Sequence, residues 1–192
     1  PPKCAGRGLC AATPAALGRF ANADHSSKFM GHPVIVSACR TAIAKFQGAL
    51  SAFTAPQLGG FAVKEALQRS GVPAAEIDEV LMGNVLQAGL GQNPARQALR
   101  AAGIPDSQAA VTINKVCGSG LKTVMLAAQA IKAGDLQCAV AGGMESMTNT
   151  PYLLPAARAG ARLGHTQALD GIVWDGLWDH YNDFHMGNTG EL

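Results

Sequence analysis

In the stretch Ile113-Asn114-Lys115-Val116-Cys117-Gly118-Ser119-Gly120-Leu121-Lys122 a β-branched run ends at a cysteine, and two glycines follow within three residues. A helical pattern then carries on to Ala133, so the stretch reads as a strand, a sharp corner at Cys117 and a helix. Leu121, Val124, Met125, Ala128 and Ile131 recur at the spacing of a helix face packed on a core, and Gly134 supplies a C-cap. Unpaired N–H groups and the positive dipole end at a helix start favour a thiolate over a thiol, and the thiolate is the nucleophilic form. On residue type alone a cysteine is more often a small buried hydrophobe. Gly118 and Gly120 shift the reading toward chemistry. They keep Cβ atoms away from the sulfur and let a carbonyl approach the backbone N–H groups of the helix start, as an oxyanion hole requires.

Working outward, Pro33–Cys39 is an apolar run without alternation, which suits a strand covered on both faces. Thr54, with Pro56 and Gln57 behind it, reads as a capped helix start, and Gly71 as its stop. Val80–Leu86 is a second strand. Asn93-Pro94 opens a second helix that ends near Gly103 and Pro105. Ala109–Val116 is the third strand, delivering Cys117, and Cys138–Ala141 the fourth. Such alternation predicts an α/β fold with a mainly parallel sheet, helices on its faces and right-handed crossovers. Cys117 then lies at the carboxyl edge of the sheet, where such folds bind ligands. Residues 1–29 are Ala-, Pro- and Gly-rich with little periodicity and read as a disordered extension, residues 30–147 as the α/β core. Residues 148–192, broken by Pro151, Pro155 and several glycines, read as a loop-rich subdomain.

Composition narrows the class. With 192 residues, 48% hydrophobic and 15% charged, the chain can bury a core. A formal charge of +2 argues for neither nucleic acid nor an anionic membrane surface, and residues 1–29 alone carry a net +3. Cys4, Cys10, Cys39, Cys117 and Cys138 form no C-x-x-C pair. Their number and spacing suit neither a disulfide framework nor a metal site, so a reducing compartment is expected and no metal. No apolar run approaches the roughly 18 residues of a membrane span.

The run from Ile113 through Ile131 resembles the acyl-enzyme signature of the thiolases, enzymes that make or cleave 3-ketoacyl-CoA. Val34–Thr41, Gly91–Gln97, Ala141–Met147 and His185-Met186-Gly187 also resemble thiolase segments, in the family's order. The resemblance covers about Pro33 to Leu192. It implies a five-layered thiolase fold, of which this chain is the incomplete N-terminal half, with residues 148–192 beginning an insertion that covers the active site. It further implies an acetyl-CoA C-acyltransferase activity through an acyl-Cys117 intermediate, with acyl-CoA as substrate, no separate cofactor, and His185 and Met186 contacting substrate. A homodimer or homotetramer is implied for the full-length form. The expected location is cytoplasmic, or mitochondrial if residues 1–29 are a transit peptide.

The remaining candidates have plainer readings beside the chemical ones. Arg158 and Arg162 could meet CoA phosphates or form a solvated face. His165 and His180 carry no motif. Gly89-Leu90-Gly91-Gln92 lacks the third glycine of a dinucleotide loop and reads as a turn. Gly31-His32-Pro33 repeats the letters of the thiolase catalytic-histidine motif ahead of the first strand, a chance match. Cys39 and Cys138 read as packing residues, and Glu145 as a residue that fixes backbone rather than exchanging protons. The histidine, second cysteine and asparagine segments that thiolases use beside the nucleophile are not found downstream of Cys117, so residues 1–192 alone are expected to be inactive. Two other classes stand as alternatives: a 3-ketoacyl-carrier-protein synthase, and a short non-catalytic subunit that pairs with a thiolase.

Overall fold

The computed structural model describes residues 32–192; the expected extension over residues 1–29 lies outside them. Three strands, β1 (Glu79–Gly83), β2 (Ala109–Ile113) and β3 (Ala139–Gly143), form a parallel sheet in the order β2-β1-β3. Each register is direct, with Gly83 opposite Ile113 on one side and Gly143 on the other, so all three strands end at one level. The connection from β1 to β2 moves one way along the sheet and that from β2 to β3 moves back. Right-handed crossovers then place their helices on opposite faces.

On one face lie α1 (Ala55–Ser70) and α2 (Pro94–Ala101). Their ends follow local chemistry. The Gln57 side chain accepts the Thr54 N–H at 2.9 Å, and Gly71 closes α1 in the left-handed region at φ 71°. Asn93 caps α2 by accepting the Arg96 N–H, and Pro94 occupies the first turn. The two helices approach closely at Gly60, where a Cβ would fall 2.6 Å from that of Ala101. Val80 and Met82 of β1 point into the core they share with Val63, Ala95, Ala98 and Leu99, all essentially inaccessible. Burying one such side chain contributes about 1.5–3 kcal/mol.

On the other face lies α3 (Ser119–Ala133), and here the expected packing holds only in part, Ala128 and Ile131 being half-buried beside an apolar cavity. Its buried stripe is Ser119, Thr123 and Ala127, spaced four apart, while Leu121, Val124 and Met125 are exposed. The cause is how close the helix comes to the sheet. Its first turn rests on Gly83 and Gly143, a separation that admits only small side chains, so the larger apolar residues are turned outward.

A second expectation fails at Pro33–Cys39. This segment pairs with no strand among the described residues, and Val34, Ile35 and Val36 stand 66–78% exposed. Strand propensity needs a partner edge, and here the run instead borders an apolar cavity of about 610 Å³ against α1, α3 and β3. The Cys39 thiol donates to the Ala62 carbonyl at 2.9 Å. From Met147 onward the elements are short: β4 (Tyr152–Leu153) with β5 (Leu169–Asp170), β6 (Trp178–Asp179) with β7 (Phe184–His185), and α4 (Met186–Thr189).

Candidate active site

Strand β2 stops at Ile113, three residues earlier than its β-branched run suggests, because Asn114 starts a turn. Its Oδ1 accepts the Val116 N–H at 2.9 Å, the local bond by which asparagine competes with a ladder. Val116 is thereby held at φ 46°, a left-handed conformation that costs a β-branched residue about 1–3 kcal/mol. The Gly118 N–H donates to Lys115 O at 3.1 Å and the Ser119 N–H to Val116 O at 3.0 Å. Ser119 is buried and its hydroxyl closes the corner, accepting the Lys115 N–H at 2.8 Å and donating to Val116 O at 2.6 Å. Cys117 sits at the tip, exposed, with Gly118 as the N-cap of a 15-residue helix directly behind it.

The corner overlooks a cavity of about 400 Å³ at the carboxyl ends of the strands. Cys117 and Val116 form one wall, Val85 and Leu86 the wall after β1, Met144, Glu145 and Met147 the wall after β3, and Leu177 reaches in from the loop-rich segment. Glycines make the approach possible. A Cβ on Gly83 would lie 2.6 Å from Gly120 N, and one on Gly143 would lie 3.2 Å from the Gly120 Cα. Gly120 thus lets helix meet sheet as well as lining the cavity. Thr123 Oγ1 lies 2.7 Å from Gly120 O and 2.9 Å from Gly142 O, fixing the helix to β3.

Glu145 faces the same cavity. Its Oε1 accepts from the Asn84 side-chain amide at 2.6 Å and from the Leu86 N–H at 3.0 Å, and its Oε2 from the Val85 N–H at 2.9 Å. Every other lining residue is apolar, small, or engaged in the corner itself. The cavity therefore offers a nucleophile and apolar walls, with its one carboxylate already committed to three donors.

The structure brings Cys117, Gly120 and Glu145 together, keeps Gly118 next to Cys117 as the helix N-cap without lining the cavity, and sets the other candidates elsewhere. His185 Nδ1 accepts the Gly187 N–H at 2.9 Å as the cap of α4, and neither His185 nor Met186 lines the Cys117 cavity. His180 is held edge-on to Trp174, with ring centres 4.7 Å apart, and its Nε2 bonds the Trp174 carbonyl at 2.9 Å. His165, Arg158 and Arg162 are exposed and away from the cavity. Cys138 is half-buried, and burial, with the carboxylates of Asp78 and Glu76, pushes its thiol up. Among the described residues no group of three or more His, Cys, Asp or Glu is placed to hold a metal ion, and no helix is long and apolar enough to cross a membrane. Asn114, Ser119 and Asn84 shape the site and were not singled out by sequence. For Asn114 the turn-forming bond of an asparagine at a strand end was the available signal.

Comparison with known proteins supplies the family. Residues 33–192 match the model of the thiolase N-terminal domain. Acetyl-CoA acetyltransferases of Pseudomonas aeruginosa and Cupriavidus necator are 52% and 56% identical over 158 residues, which is 82% of this chain and 40% of each of those proteins. A mitochondrial acetyl-CoA acetyltransferase of Xenopus laevis is 53% identical over 86% of the chain and 39% of its own length. The crystal structure of the Acat5 thiolase from Ascaris suum in complex with coenzyme A superposes with a TM-score of 0.79 at 45% identity, covering 82% of this chain and 41% of that one. The chain thus spans about two-fifths of the length of the relatives it matches. With the parallel sheet and the flanking helices in place, the chain belongs to the thiolase family, and residues 33–192 match the N-terminal domain of that family.

Proposed function

We propose that this chain supplies the nucleophilic half of an acetyl-CoA acetyltransferase, with Cys117 as the residue that carries the acyl group. The supporting observation is an exposed cysteine on a strained corner, ahead of a long helix, over an apolar cavity of about 400 Å³. In the reaction the Cys117 sulfur attacks the thioester carbonyl of an acyl-CoA, its carbon–sulfur bond to CoA breaks, and CoA leaves as a thiolate that takes up a proton. A second acyl-CoA loses an α-proton, and its carbanion attacks the acyl-Cys carbonyl, releasing Cys117 and 3-ketoacyl-CoA. Thiolysis is the reverse. The Gly118 and Ser119 N–H groups donate to Lys115 O and Val116 O, so they are not open to the first oxyanion, and the glycines serve by keeping the approach to Cys117 clear of side chains.

The second step needs a base that the cavity does not offer. Glu145 is the one titratable lining residue besides Cys117, and its oxygens are occupied by three donors. By resemblance to thiolases we take the missing groups to lie in the C-terminal part of the complete chain. On the same resemblance we take the complete enzyme to be a homodimer or homotetramer using no cofactor beyond the CoA of its substrate. It would act in the cytoplasm, or in mitochondria if residues 1–29 direct import.

The test is formation of acetoacetyl-CoA from acetyl-CoA by two chains: residues 1–192, and residues 1–192 continued by the C-terminal part of the Cupriavidus necator relative. The first is expected to show no turnover and the second to turn over, losing activity on Cys117→Ala. Turnover by residues 1–192 alone would mean that a base lies within them. An active Cys117→Ala variant would remove Cys117 from the mechanism.

A further inference from the structure

We propose that Glu145 is a positioning residue of the Cys117 cavity: its carboxylate staples the exit of β1 to the exit of β3 and so sets the wall against which the acyl group of the substrate rests. The inference rests on the acyl-transfer reading above. It begins from an arrangement that folding alone does not require. Strands β1 and β3 are already joined through all five residues of their ladder, and the Met144 N–H continues it by donating to Gly83 O at 2.9 Å. Beyond that point the chain commits a further charged group to the same junction, 59–61 residues away in sequence.

The donors around that group are well chosen for holding backbone. Val85 and Leu86 present two successive N–H groups to one carboxylate, a concave arrangement suited to an anion. Asn84, fully buried, adds a third donor from its side chain, and the same amide reaches the Met144 carbonyl at 3.2 Å. Hydrogen bonds to a charged acceptor are roughly twice as strong as neutral ones. Glu145 makes no ion pair with Lys, Arg or His among the described residues, so its charge serves these donors.

What the staple holds is cavity wall. Val85 and Leu86 line the same space as Cys117, and Leu86 is wedged against Gly176, where a Cβ would come within 3.3 Å of its Cδ2. The nucleophile is fixed separately, by Asn114 and Ser119 on the β2–α3 corner. Removing the Glu145 charge should therefore displace the seat of the acyl group and leave the thiol's own reactivity in place. A misplacement near 1 Å is enough to cost on the order of 10²-fold in a positioned reaction.

The experiment compares two alkylating agents on the 192-residue chain, bromoacetyl-CoA and bromoacetamide. In both, the Cys117 thiolate displaces bromide from the same kind of carbon, forming a thioether, and only the first carries the substrate's thioester and CoA. Peptide mass spectrometry gives the rate at Cys117. Wild type is expected to react faster and saturably with bromoacetyl-CoA. Glu145→Gln is expected to keep its bromoacetamide rate within about twofold and lose roughly tenfold or more of the bromoacetyl-CoA rate, with Glu145→Asp in between. Should Glu145→Gln fail to fold by circular dichroism, Glu145→Asp carries the test under the same criterion. A folded variant with an unchanged bromoacetyl-CoA rate overturns the staple, as does an equal fall in both rates, which would mean that Glu145 acts on the thiol or on folding. A wild type that does not prefer bromoacetyl-CoA sinks the acyl-CoA reading itself, and the staple's role with it.

Discussion

The Ser119 hydroxyl donates to the carbonyl of Val116 at 2.6 Å, and through that bond a buried side chain on the first turn of α3 holds the strained residue that precedes the nucleophile. The same oxygen accepts the Lys115 N–H at 2.8 Å. Ser119→Ala removes both bonds while leaving helix propensity nearly unchanged. It should destabilise the fold by about 1–3 kcal/mol, the cost of leaving the partly buried Lys115 N–H unpaired, while Val116 O keeps the Ser119 N–H. It should also change the alkylation rate of Cys117 several-fold. Urea denaturation and thiol labelling read the two effects, and a variant identical to wild type in both would show that the corner is held without Ser119.

Val116→Gly tests the strain directly. Relief of a left-handed β-branched residue is worth about 1–2 kcal/mol, offset by about 0.4–1 kcal/mol of extra unfolded-state entropy. Little packing is lost, because Val116 is 49% exposed. The variant should therefore be equal to wild type or more stable by roughly 0.5 kcal/mol. A loss above about 1 kcal/mol in urea denaturation would mean that Val116 does not sit at φ 46° in solution.

The reach of the sequence follows from the range over which each feature is determined. Thr54 with Gln57, Asn93 with Pro94, and Gly71 and Gly134 as C-caps were legible because each satisfies backbone groups within four residues of itself. The cysteine corner was legible for the same reason. Two readings that depended on distant partners failed, the second only in part. Pro33–Cys39 has a strand's composition, yet it pairs with none of the described strands even though β3 leaves its outer edge open, and the run and β3 instead line one apolar cavity. The face of α3 shifted at its start because Gly83 and Gly143, far from the helix in sequence, draw its first turn too close for Leu121 or Met125 to face the sheet. Glu145 was readable as a backbone fixer, yet its three donors lie some sixty residues upstream and no local pattern announces them.

Thiol labelling should separate the three described cysteines. Cys117 is exposed at the corner, whereas Cys39 is half-buried and donates to Ala62 O, and the Cys138 thiol is pushed up by burial and by the Asp78 and Glu76 carboxylates. Reactivity follows the exposed thiolate. Brief iodoacetamide treatment at pH 7 with peptide mapping should mark Cys117 first, then Cys39, with Cys138 slowest. Faster labelling of Cys39 would count against Cys117 as the nucleophile.

Acid should loosen the start of β3. The Asp78 carboxylate accepts the N–H groups of Cys138 at 3.0 Å and Gln137 at 2.7 Å, which hold its carboxyl below the ordinary range. A lowered folded value means that the contribution is fully present above the unfolded value near 3.9 and is lost as pH falls through the folded one. Because the group is largely exposed, its worth is small, about 1 kcal/mol or less. Asp78→Asn should thus lower stability at pH 7 and converge with wild type in strongly acidic solution. An undiminished difference in urea denaturation at low pH would contradict the role of the charge.

Gly83→Ala should damage the site more than any other single methyl near Cys117, and Gly118→Ala supplies the contrast. At Gly83 the added Cβ would fall 2.6 Å from both Gly120 N and the Ser119 carbonyl carbon, and 2.8 Å from Ser119 Cβ. Two of these are backbone atoms of the helix start and cannot rotate aside, so α3 must move off the sheet edge and carry the corner with it. Overpacking of this kind costs about 1–3 kcal/mol. At Gly118 the backbone is ordinary, φ −90°, and the nearest atom to a new Cβ is Lys115 O at 3.5 Å, a normal contact. Gly118→Ala should therefore fold within about 0.5 kcal/mol of wild type. Its new methyl would nonetheless stand on the exposed corner next to the Cys117 sulfur, so it should slow alkylation by the bulky bromoacetyl-CoA more than by bromoacetamide. If Gly83→Ala is as stable as wild type, the close approach of α3 to β1 is wrong; if Gly118→Ala discriminates between neither reagent, Gly118 has no part in admitting substrate.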